Sequence, residues 1–384
     1  MQRLRYVRQL GLAHLVYPGA THSRFEHALG AYHLTLRALR NLRESGQLGS
    51  DAGDDPAVVA AAALLHDVGH YPFSHALEEI GVPNHEVVAR PLVTEGEVGD
   101  VLRERIGADA PARVHRLICG LSPSPLGGLI SGSVDLDKID YLKRDALMCG
   151  VPYGEIDEDR LIHAMVLVDD PATGRRRIGV LDKGLSAIES LLFAKYQMYR
   201  NVYWHHACRA ATAMYKRLVE LAIADQSLRV DVVASLTDEG LLHALEAGTS
   251  QEAHGLLEAL RRRRLYKRAF EAPAALLPME QLEWISDDRV RTRRAEQSLA
   301  GVLGVPTSEL LLDFPAKTQM LGLDLPVVAR DGSVRRLTHE GLPGAIDLPR
   351  MADQLYRSAR YLRVFTARRI AAERSTVIGV LENC

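Results

Sequence analysis

An apolar stretch over residues 57–66 that runs directly into a histidine–aspartate pair is the feature that most constrains this chain. The stretch is almost wholly Ala, Val and Leu, and its richness in alanine and leucine favours a buried helix over a strand. Residues 66–70 (HDVGH) follow, and their glycine is typical of a helix end. The sequence therefore predicts two metal-capable side chains, His66 and Asp67, where a buried helix meets a loop.

The simplest alternative is that His66 and Asp67 only cap this helix. The negative charge of an aspartate near a helix C-terminus interacts unfavourably with the helix dipole, which argues against a pure capping role. Because adjacent helical residues diverge by about 100°, the pair converges on one ion only if the helix end is kinked. We interpret the pair as metal ligands.

Helices predicted over Arg24–Leu42 and Ser133–Leu147 supply two further candidate ligands, His27 and Asp137. Taken alone, a histidine on an amphipathic helix is more often a satisfied core or surface group, and an acidic helix is more often a solvated face. Apolar residues interleave with the acids of the second helix, so some of its carboxylates are expected to point inward. Two imidazoles and two carboxylates suit Fe, Mn, Mg, Ni or Zn and leave positions for water or phosphate.

Beyond residue 160 the predicted elements change in character. Short runs at Leu161–Val168 and Arg175–Leu181 flank a turn that contains Pro and Gly, which indicates a β-hairpin. Ser186 and Glu189 have the spacing of a capping box and predict a long helix to about Ala222. The remaining predictions are a helix over 227–265, strands over 310–314 and 325–334 with an Asp331-Gly332 turn, and a final helix over 351–372.

Together these elements predict a mostly α fold. We expect a helical domain over residues 1–265, with a small β-hairpin near 161–181, and an α+β C-terminal region over 266–384. The composition fits a globular protein, because 47% of the 384 residues are hydrophobic and 25% are charged.

The charge, the apolar runs and the cysteines exclude several classes of protein. A formal net charge of −2 creates no overall field that would draw the chain onto nucleic acid or an anionic membrane. Apolar runs stay well short of the roughly 20 residues that span a bilayer, and the N-terminus lacks the apolar segment of a secretory signal. Four cysteines without a CxxC pair argue against a disulfide framework and indicate a cytoplasmic location.

The candidate ligands occur in the order of a known motif. His27, the His66-Asp67 pair and Asp137 resemble the spaced H…HD…D motif that names the HD superfamily. This resemblance implies an HD-domain helical bundle that holds one divalent metal ion.

Longer segments resemble one branch of that superfamily, the dNTP triphosphohydrolases, which includes the vertebrate SAM- and HD-domain enzyme and bacterial relatives. Residues 2–11 and 17–27 (YPGATHSRFEH) are similar to its N-terminal HD segment. Residues 66–75 (HDVGHYPFSH) and 135–145 (DLDKIDYLKRD) also resemble it closely. The resemblance covers about residues 2–220, and Tyr361–Phe365 is similar to a strand of the family.

This resemblance implies substrate contacts on both sides of the metal. Gln9 and Leu10 would contact the sugar and base, whereas Arg24, Lys138 and Lys195 would hold the triphosphate. Lys195 stands where the vertebrate enzyme has an arginine, and a lysine lacks the bidentate fork of the guanidinium.

On the sugar, the resemblance places three further residues. Tyr141 would pack against C2′ and exclude a ribose hydroxyl. Asp145 and Tyr203 would hold the 3′ side. The bland alternative is that the two tyrosines are plain core aromatics.

The resemblance also implies a catalytic group of four residues. His70 and His75 would act near the α-phosphorus, one polarising phosphate oxygens and the other protonating the leaving 5′ oxygen. Glu78 would orient His75, and His85 with Glu86 would support them. Both His70 and His75 could instead be ordinary loop histidines.

Three functions remain open on the sequence alone. The first is hydrolysis of dNTPs to deoxynucleoside and tripolyphosphate. The second keeps the metal site but acts on nucleoside monophosphates, single-stranded nucleic acid ends or a cyclic dinucleotide. The third is an inactive HD scaffold that binds nucleotides or a partner and has a regulatory role.

Two basic clusters, Arg261–Arg264 and Arg289–Arg294, are either solvated helix faces or contacts for a regulatory nucleotide or nucleic acid. The family resemblance implies a homo-oligomer, either a dimer or a tetramer, that is controlled by nucleotides. We expect a deoxynucleotide as the main binding partner and nucleic acid only as a secondary one. We expect no association with a membrane.

Overall fold

A computed structural model describes residues 1–49, 55–246, 250–315, 322–338, 341–342 and 348–384. Helices dominate, which confirms the mostly α fold that the sequence predicts. The helices are α1 (Arg24–Glu44), α2 (Asp55–Leu65), α3 (His85–Thr94), α4 (Gly96–Arg105), α5 (Ala110–Ile118), α6 (Gly128–Ser131), α7 (Leu136–Cys149), α8 (Glu158–Ala164), α9 (Leu185–Met198), α10 (His206–Ala224), α11 (Val230–Val233), α12 (Asp238–Glu246), α13 (Gln251–Arg261), α14 (Met279–Leu282), α15 (Trp284–Asp287), α16 (Arg289–Leu303), α17 (Leu348–Ala359) and α18 (Arg374–Glu382). Short 3-10 helices include Gln2–Tyr6, Gly11–Leu15 and Ser74–Ile80.

Within the described residues, seven strands form two small sheets. The strands are β1 (Met165–Asp169), β2 (Arg176–Leu181), β3 (Lys267–Pro273), β4 (Leu310–Asp313), β5 (Leu325–Val328), β6 (Val334–Leu337) and β7 (Tyr361–Thr366). The first sheet has the order β1-β2-β5-β6, in which β5 runs parallel to β2. The second sheet is antiparallel with the order β3-β7-β4.

The largest core lies between α1, α2, α5, α7 and α9. Helix α2 is the apolar stretch that the sequence analysis identified, and Val58, Val59 and Ala62 are fully buried in it. A second core surrounds α10 and α13, and a third lies between the β3-β7-β4 sheet and helices α16 and α18. The buried apolar helix therefore lies at the centre of the bundle, and its C-terminal end lies at the candidate site.

Several predicted elements form close to their predicted bounds. The helices predicted over Arg24–Leu42 and Ser133–Leu147 correspond to α1 and α7. Helix α7 begins at Leu136 because the Asp135 carboxylate caps it by accepting the Lys138 backbone N–H over 2.9 Å. The predicted hairpin also forms, but its first strand begins only at Met165, since the residues before it complete α8.

The long helix predicted from Ser186 to about Ala222 is wrong in two respects. Helix α9 begins at Leu185 after Gly184 without a side-chain cap, so the capping box does not form. The helix also stops at Met198, where a π-helical turn over Tyr199–Tyr203 separates it from α10. Such turns are frequent at functional sites because they redirect side chains.

Two further helix predictions were too long. The helix predicted over 227–265 is three helices, α11 to α13, and residues 247–249 lie outside the described part of the chain. The final helix predicted over 351–372 ends at Ala359, and β7 follows it. Leu362, Val364 and Phe365 are fully buried between β3 and β4, which favours the strand that the family resemblance implied there.

The predicted division at residue 265 stays a prediction. Strands β5 and β6, from the later region, complete the sheet that β1 and β2 begin, and Val327 packs in the same core as α2. Every helix in the described part of the chain is too short or too polar to cross a membrane.

Candidate metal centre

Three predicted metal ligands, His27, His66 and Asp137, converge at the end of α2. The Nε2 atom of His27 lies 2.8 Å from Asp137 Oδ1, and the Nε2 atom of His66 lies 3.4 Å from the same oxygen. The two Nε2 atoms are 3.2 Å apart. Residues 39 to 110 positions apart in sequence are thus brought within reach of one ion.

Both imidazoles are oriented by hydrogen bonds at their other nitrogen. His27 donates from Nδ1 to Asp140 over 2.8 Å, and His66 donates from Nδ1 to the Ala63 carbonyl over 2.8 Å. Each Nε2 of the neutral ring is then an acceptor, so lone pairs of two rings and a carboxylate point at one place. Such an arrangement needs a cation, and outer hydrogen bonds of this kind are typical of metal-ligating histidines. The donor set therefore fits a divalent metal.

The fourth predicted ligand, Asp67, lies at the edge of this group. Its carboxylate oxygens are 3.3 Å from His66 Nε2 and 3.7 Å from His27 Nε2. The same carboxylate accepts hydrogen bonds from Arg24 over 2.5 Å and from His70 over 2.9 Å. Asp67 thus joins the metal ligands to the residues beside them.

The close packing of these charges perturbs their protonation. Burial opposes the charged form of His27, but its hydrogen bonds to Asp137 and Asp140 raise its pKa to about 10. Burial also opposes ionisation of Asp67, yet Arg24 and the neighbouring histidines hold its pKa well below the usual range. In the metal-free protein a proton can therefore take the place of the cation between the ligands.

A second group of side chains lies beside the metal ligands and contains the four predicted catalytic residues. Glu78 accepts hydrogen bonds from His85 over 2.6 Å and from His75 over 3.2 Å. The ring of His70 stacks on that of His85, with 3.8 Å between centroids. We call His70, His75, Glu78 and His85 the transfer cluster.

The members of the transfer cluster differ in exposure. The His75 side chain is 61% exposed, whereas His70 is fully buried. Burial, together with the nearby Arg24 guanidinium, holds the pKa of His70 well below its usual range, so this ring is neutral at pH 7. Its Nδ1 atom is buried and has no hydrogen-bond partner among the described residues.

Two cavities meet at this site. One of about 330 Å³ is lined by the metal ligands, three histidines of the transfer cluster and Lys138, and we call it the metal cavity. The other, of about 500 Å³, is lined by Tyr141, Tyr199, Tyr203 and Asp145 among others, and we call it the tyrosine cavity. Of the residues that the structure describes, four line both cavities, namely Gln9, Arg24, His75 and Tyr141.

The predicted sugar-binding residues are held together in the tyrosine cavity. Asp145 accepts hydrogen bonds from the Tyr203 hydroxyl and from His22, each over 2.7 Å. The ring of Tyr141 lies 6.5 Å from that of Tyr203 and 6.4 Å from that of His27. Tyr141 therefore separates the metal ligands from the tyrosine cavity, which Leu10 also lines.

The two predicted phosphate-binding lysines lie in different places. Lys138 lines the metal cavity, where it pairs with Asp135 and donates to the Gly132 carbonyl over 3.0 Å. Lys195 is buried on α9 and is absent from the described lining of either cavity. Burial and the nearby Lys138 lower the pKa of Lys195 to about 8. The position of Lys195 therefore does not support the predicted direct contact with the triphosphate.

The sequence analysis did not assign two residues that orient the site, Asp140 and His22. Asp140 follows the ligand Asp137 by three positions, so the helical period places both on one face, and this signal was available. Gly30 allows the approach, because a Cβ there would lie 1.8 Å from Asp140 Oδ1. His22 precedes α1 in an irregular segment, where no periodicity indicates its direction.

The two basic clusters line neither cavity in the described part of the chain. Arg262 and Arg264 pair with Glu258, and Arg289 pairs with Glu220. The pairs with Glu258 lie on a solvated surface, whereas Arg289 and Glu220 are largely shielded from solvent.

Family comparisons agree with this geometry. The sequence matches the family model described as an HD domain over residues 24–142, and the one described as an HD associated region over residues 156–342. The first match contains the four predicted metal ligands. The chain belongs to the HD superfamily.

Within that superfamily, the chain is 37% identical over 267 residues to an uncharacterized protein of Methanocaldococcus jannaschii. The aligned residues cover 69% of this chain and 53% of that protein. A deoxynucleoside triphosphate triphosphohydrolase of Gallus gallus is 26% identical over 323 residues, which covers 69% of this chain and 51% of the relative. The chain spans about half the length of the curated relatives it matches.

Solved structures show the same fold over almost the whole chain. A hypothetical protein from Aquifex aeolicus superposes with a TM-score of 0.72 and 27% identity, covering 96% of this chain and 89% of that one. A phosphohydrolase from Bacteroides thetaiotaomicron superposes with a TM-score of 0.70 at 23% identity, covering 96% of this chain and 93% of that one.

Proposed function

We propose that this protein is a metal-dependent phosphohydrolase that cleaves dNTPs to deoxynucleoside and tripolyphosphate. The observation that carries the proposal is the junction of the metal cavity and the tyrosine cavity at Gln9, Arg24, His75 and Tyr141. One cavity offers a cation site and charged side chains for phosphates, and the other offers aromatic walls for a nucleoside. Their volumes are in the range of small-molecule sites, which is roughly 300–1,000 Å³.

A divalent cation is expected to be needed for phosphate binding. Carboxylates outnumber the permanently charged cations along the metal cavity, where Arg24 and Lys138 already pair with Asp67 and Asp135. When bound, the cation supplies compensating charge and lowers the pKa of nearby water. His27, His66, Asp67 and Asp137 would hold it.

The protein's own groups account for the remaining chemistry. Water adds across the bond between the α-phosphorus and O5′, so that its oxygen ends on tripolyphosphate and a proton ends on the deoxynucleoside. His75 is suited to deliver that proton, because it lies at the junction of the cavities and Glu78 orients it. Neutral His70 has a buried acceptor, Nδ1, without a partner among the described residues, and Arg24 stabilises charge on the phosphoryl oxygens.

Selection of deoxyribose is assigned to Tyr141. Its ring stands between the metal ligands and the Asp145–Tyr203 pair, where a bound sugar would place C2′ against it. A ribose hydroxyl would then meet the ring face. A homo-oligomer and a regulatory nucleotide, which the family resemblance implies, stay predictions.

The test is to incubate metal-loaded protein separately with each dNTP, each NTP and single-stranded DNA, and to separate the products by chromatography. Tripolyphosphate and deoxynucleoside from dNTPs alone are the expected products. Nucleoside monophosphate from DNA would favour the second function, a phosphohydrolase of nucleic acid ends. Protein that binds dNTP without turnover would favour a regulatory scaffold.

A further inference from the structure

The turn between His70 and His75 contains two residues in a disfavoured conformation. Phe73 and Ser74 have φ values of 57° and 66°, in the left-handed region that residues with side chains rarely adopt. Such conformations persist only where the surrounding structure fixes them. The turn delivers His75 to the junction of the two cavities, so whatever fixes it also sets the position of His75.

One buried carboxylate, that of Asp238, holds this turn to the N-terminal segment. Its Oδ1 accepts the Phe73 backbone N–H over 2.8 Å, and its Oδ2 accepts the Arg8 backbone N–H over 3.0 Å. Asp238 is 1% exposed. Phe73 precedes His75 by two positions, and Arg8 precedes Gln9, so one carboxylate spans two segments that line the site.

Other contacts also hold this turn against the N-terminal segment. The Ser74 hydroxyl lies 2.8 Å from the Arg8 carbonyl and accepts from Arg24 over 3.0 Å. Gly11 lies against the turn, because a Cβ there would be 2.7 Å from the Phe73 carbonyl oxygen. All these groups precede residue 76, whereas Asp238 lies far along the chain on α12, outside the residues matched as an HD domain.

The chemistry of Asp238 suits a clamp better than a mere helix cap. Thr237 already caps α12 by accepting the Gly240 N–H over 3.1 Å. Burying a carboxylate is costly unless donors satisfy it, and here each oxygen is satisfied by a backbone amide of a different segment. An apolar residue would avoid the cost but would leave both amides unpaired.

We propose that Asp238 is a positioning residue that fixes His75 relative to Gln9, so that the HD associated region completes the geometry of the site. The expected loss of turnover rests on the proposed hydrolase function. The expected change in the structure around His75 and Gln9 does not, because it can be measured without substrate.

The test compares Asp238→Asn with the control Glu239→Gln. Glu239 is the neighbouring carboxylate, which is exposed and, among the described residues, pairs only with the Arg8 side chain. In Asp238→Asn, one oxygen becomes an N–H donor that faces another N–H, so one amide loses its acceptor. We expect faster hydrogen exchange, at least tenfold, in peptides covering residues 5–10 or 70–76, with the metal content unchanged. Turnover of dATP should fall on the order of 100-fold in kcat, as for a misplacement of about 1 Å.

Several outcomes separate this inference from the proposed function. Equal exchange rates and equal kcat in the two variants would overturn the role of Asp238. Absence of dATP turnover in the wild type would overturn the proposed function, while exchange still decides the clamp. If Asp238→Asn does not fold, Gly11→Ala displaces the same turn and keeps the carboxylate; full kcat in that variant would also overturn the inference.

Discussion

The metal ligands and the transfer cluster are both built from histidines and carboxylates, yet their hydrogen bonds differ in kind. Among the metal ligands, His27 and His66 are each anchored at Nδ1, and their Nε2 atoms converge on one point. In the transfer cluster, Glu78 is shared by two rings, His75 is largely exposed, and His70 keeps a buried nitrogen without a described partner. Anchored and convergent rings suit a bound cation, whereas unequal and partly exposed rings suit proton transfer.

The largest expected effect follows from removing a metal ligand. Asp137→Asn should lose the metal and reduce turnover by more than the roughly 100-fold that loss of an outer hydrogen-bond partner costs. Metal per chain by mass spectrometry and dNTP turnover are the measurements, with Asp100→Asn, an exposed carboxylate on α4, as the matched control. An active, metal-loaded Asp137→Asn would remove this residue from the site.

The next effect separates the two groups. His75→Gln should lower kcat by about 10²–10⁴-fold, the usual contribution of a general acid, while one metal per chain remains bound. His243, an exposed histidine that pairs with Glu246, offers the control His243→Gln. Loss of metal from His75→Gln would show that the two groups are not functionally distinct.

A smaller effect tests the anchoring of the metal ligands. Asp140→Asn removes the charge that accepts the His27 Nδ1–H, and metal affinity should fall by about 10–100-fold. Competition with a chelator measures the affinity. The control is Asp159→Asn, whose carboxylate is 70% exposed and pairs with Arg37. Unchanged affinity in Asp140→Asn would mean that α1 alone orients His27.

The smallest effect concerns the charge on the buried Lys195 side chain and its cost to the stability of the folded protein. The pKa of Lys195 is lowered by burial and Lys138 from 10.5 to about 8, so its charged form destabilises the folded state below about pH 8. Wild-type stability should rise with pH between about 8 and 10.5, because only the unfolded chain then keeps the proton. Lys195→Met should therefore stabilise the metal-free protein at pH 7 by a few kcal/mol at most.

Denaturant unfolding of the wild type and Lys195→Met at pH 7 and at pH 9.5 measures this difference. The gain from Lys195→Met should shrink at the higher pH. A gain that is independent of pH would instead indicate better apolar packing on α9.

The sequence predicted the elements that carry the metal ligands better than the elements around the tyrosine cavity. The apolar helix α2 and the helical period of α7 place His66 and Asp137 by local rules, and the structure brings them together. The interruption after Met198 could not be foreseen, because Tyr199–Tyr203 contain no Gly or Pro that would mark a helix break and the π-helical turn depends on packing.

The C-terminal elements show the same limit of local rules. Residues 351–372 combine a helical period with a β-branched and aromatic run, and the sheet partners β3 and β4 decide in favour of strand β7. The sequence likewise did not indicate the role of Asp238, since that role comes from hydrogen bonds to two backbone amides more than 160 positions away. Contacts of this length are set by tertiary structure alone.

The parallel pairing of β5 with β2 has a consequence for how the chain is made. During synthesis the β1-β2 hairpin leaves the ribosome long before Val327 can pair with Val180, and so one side of β2 waits with unpaired backbone groups. An open strand edge of this kind is a template for aggregation. Ribosome-bound nascent chains are therefore expected to be most dependent on chaperones between the emergence of the hairpin and the arrival of β5.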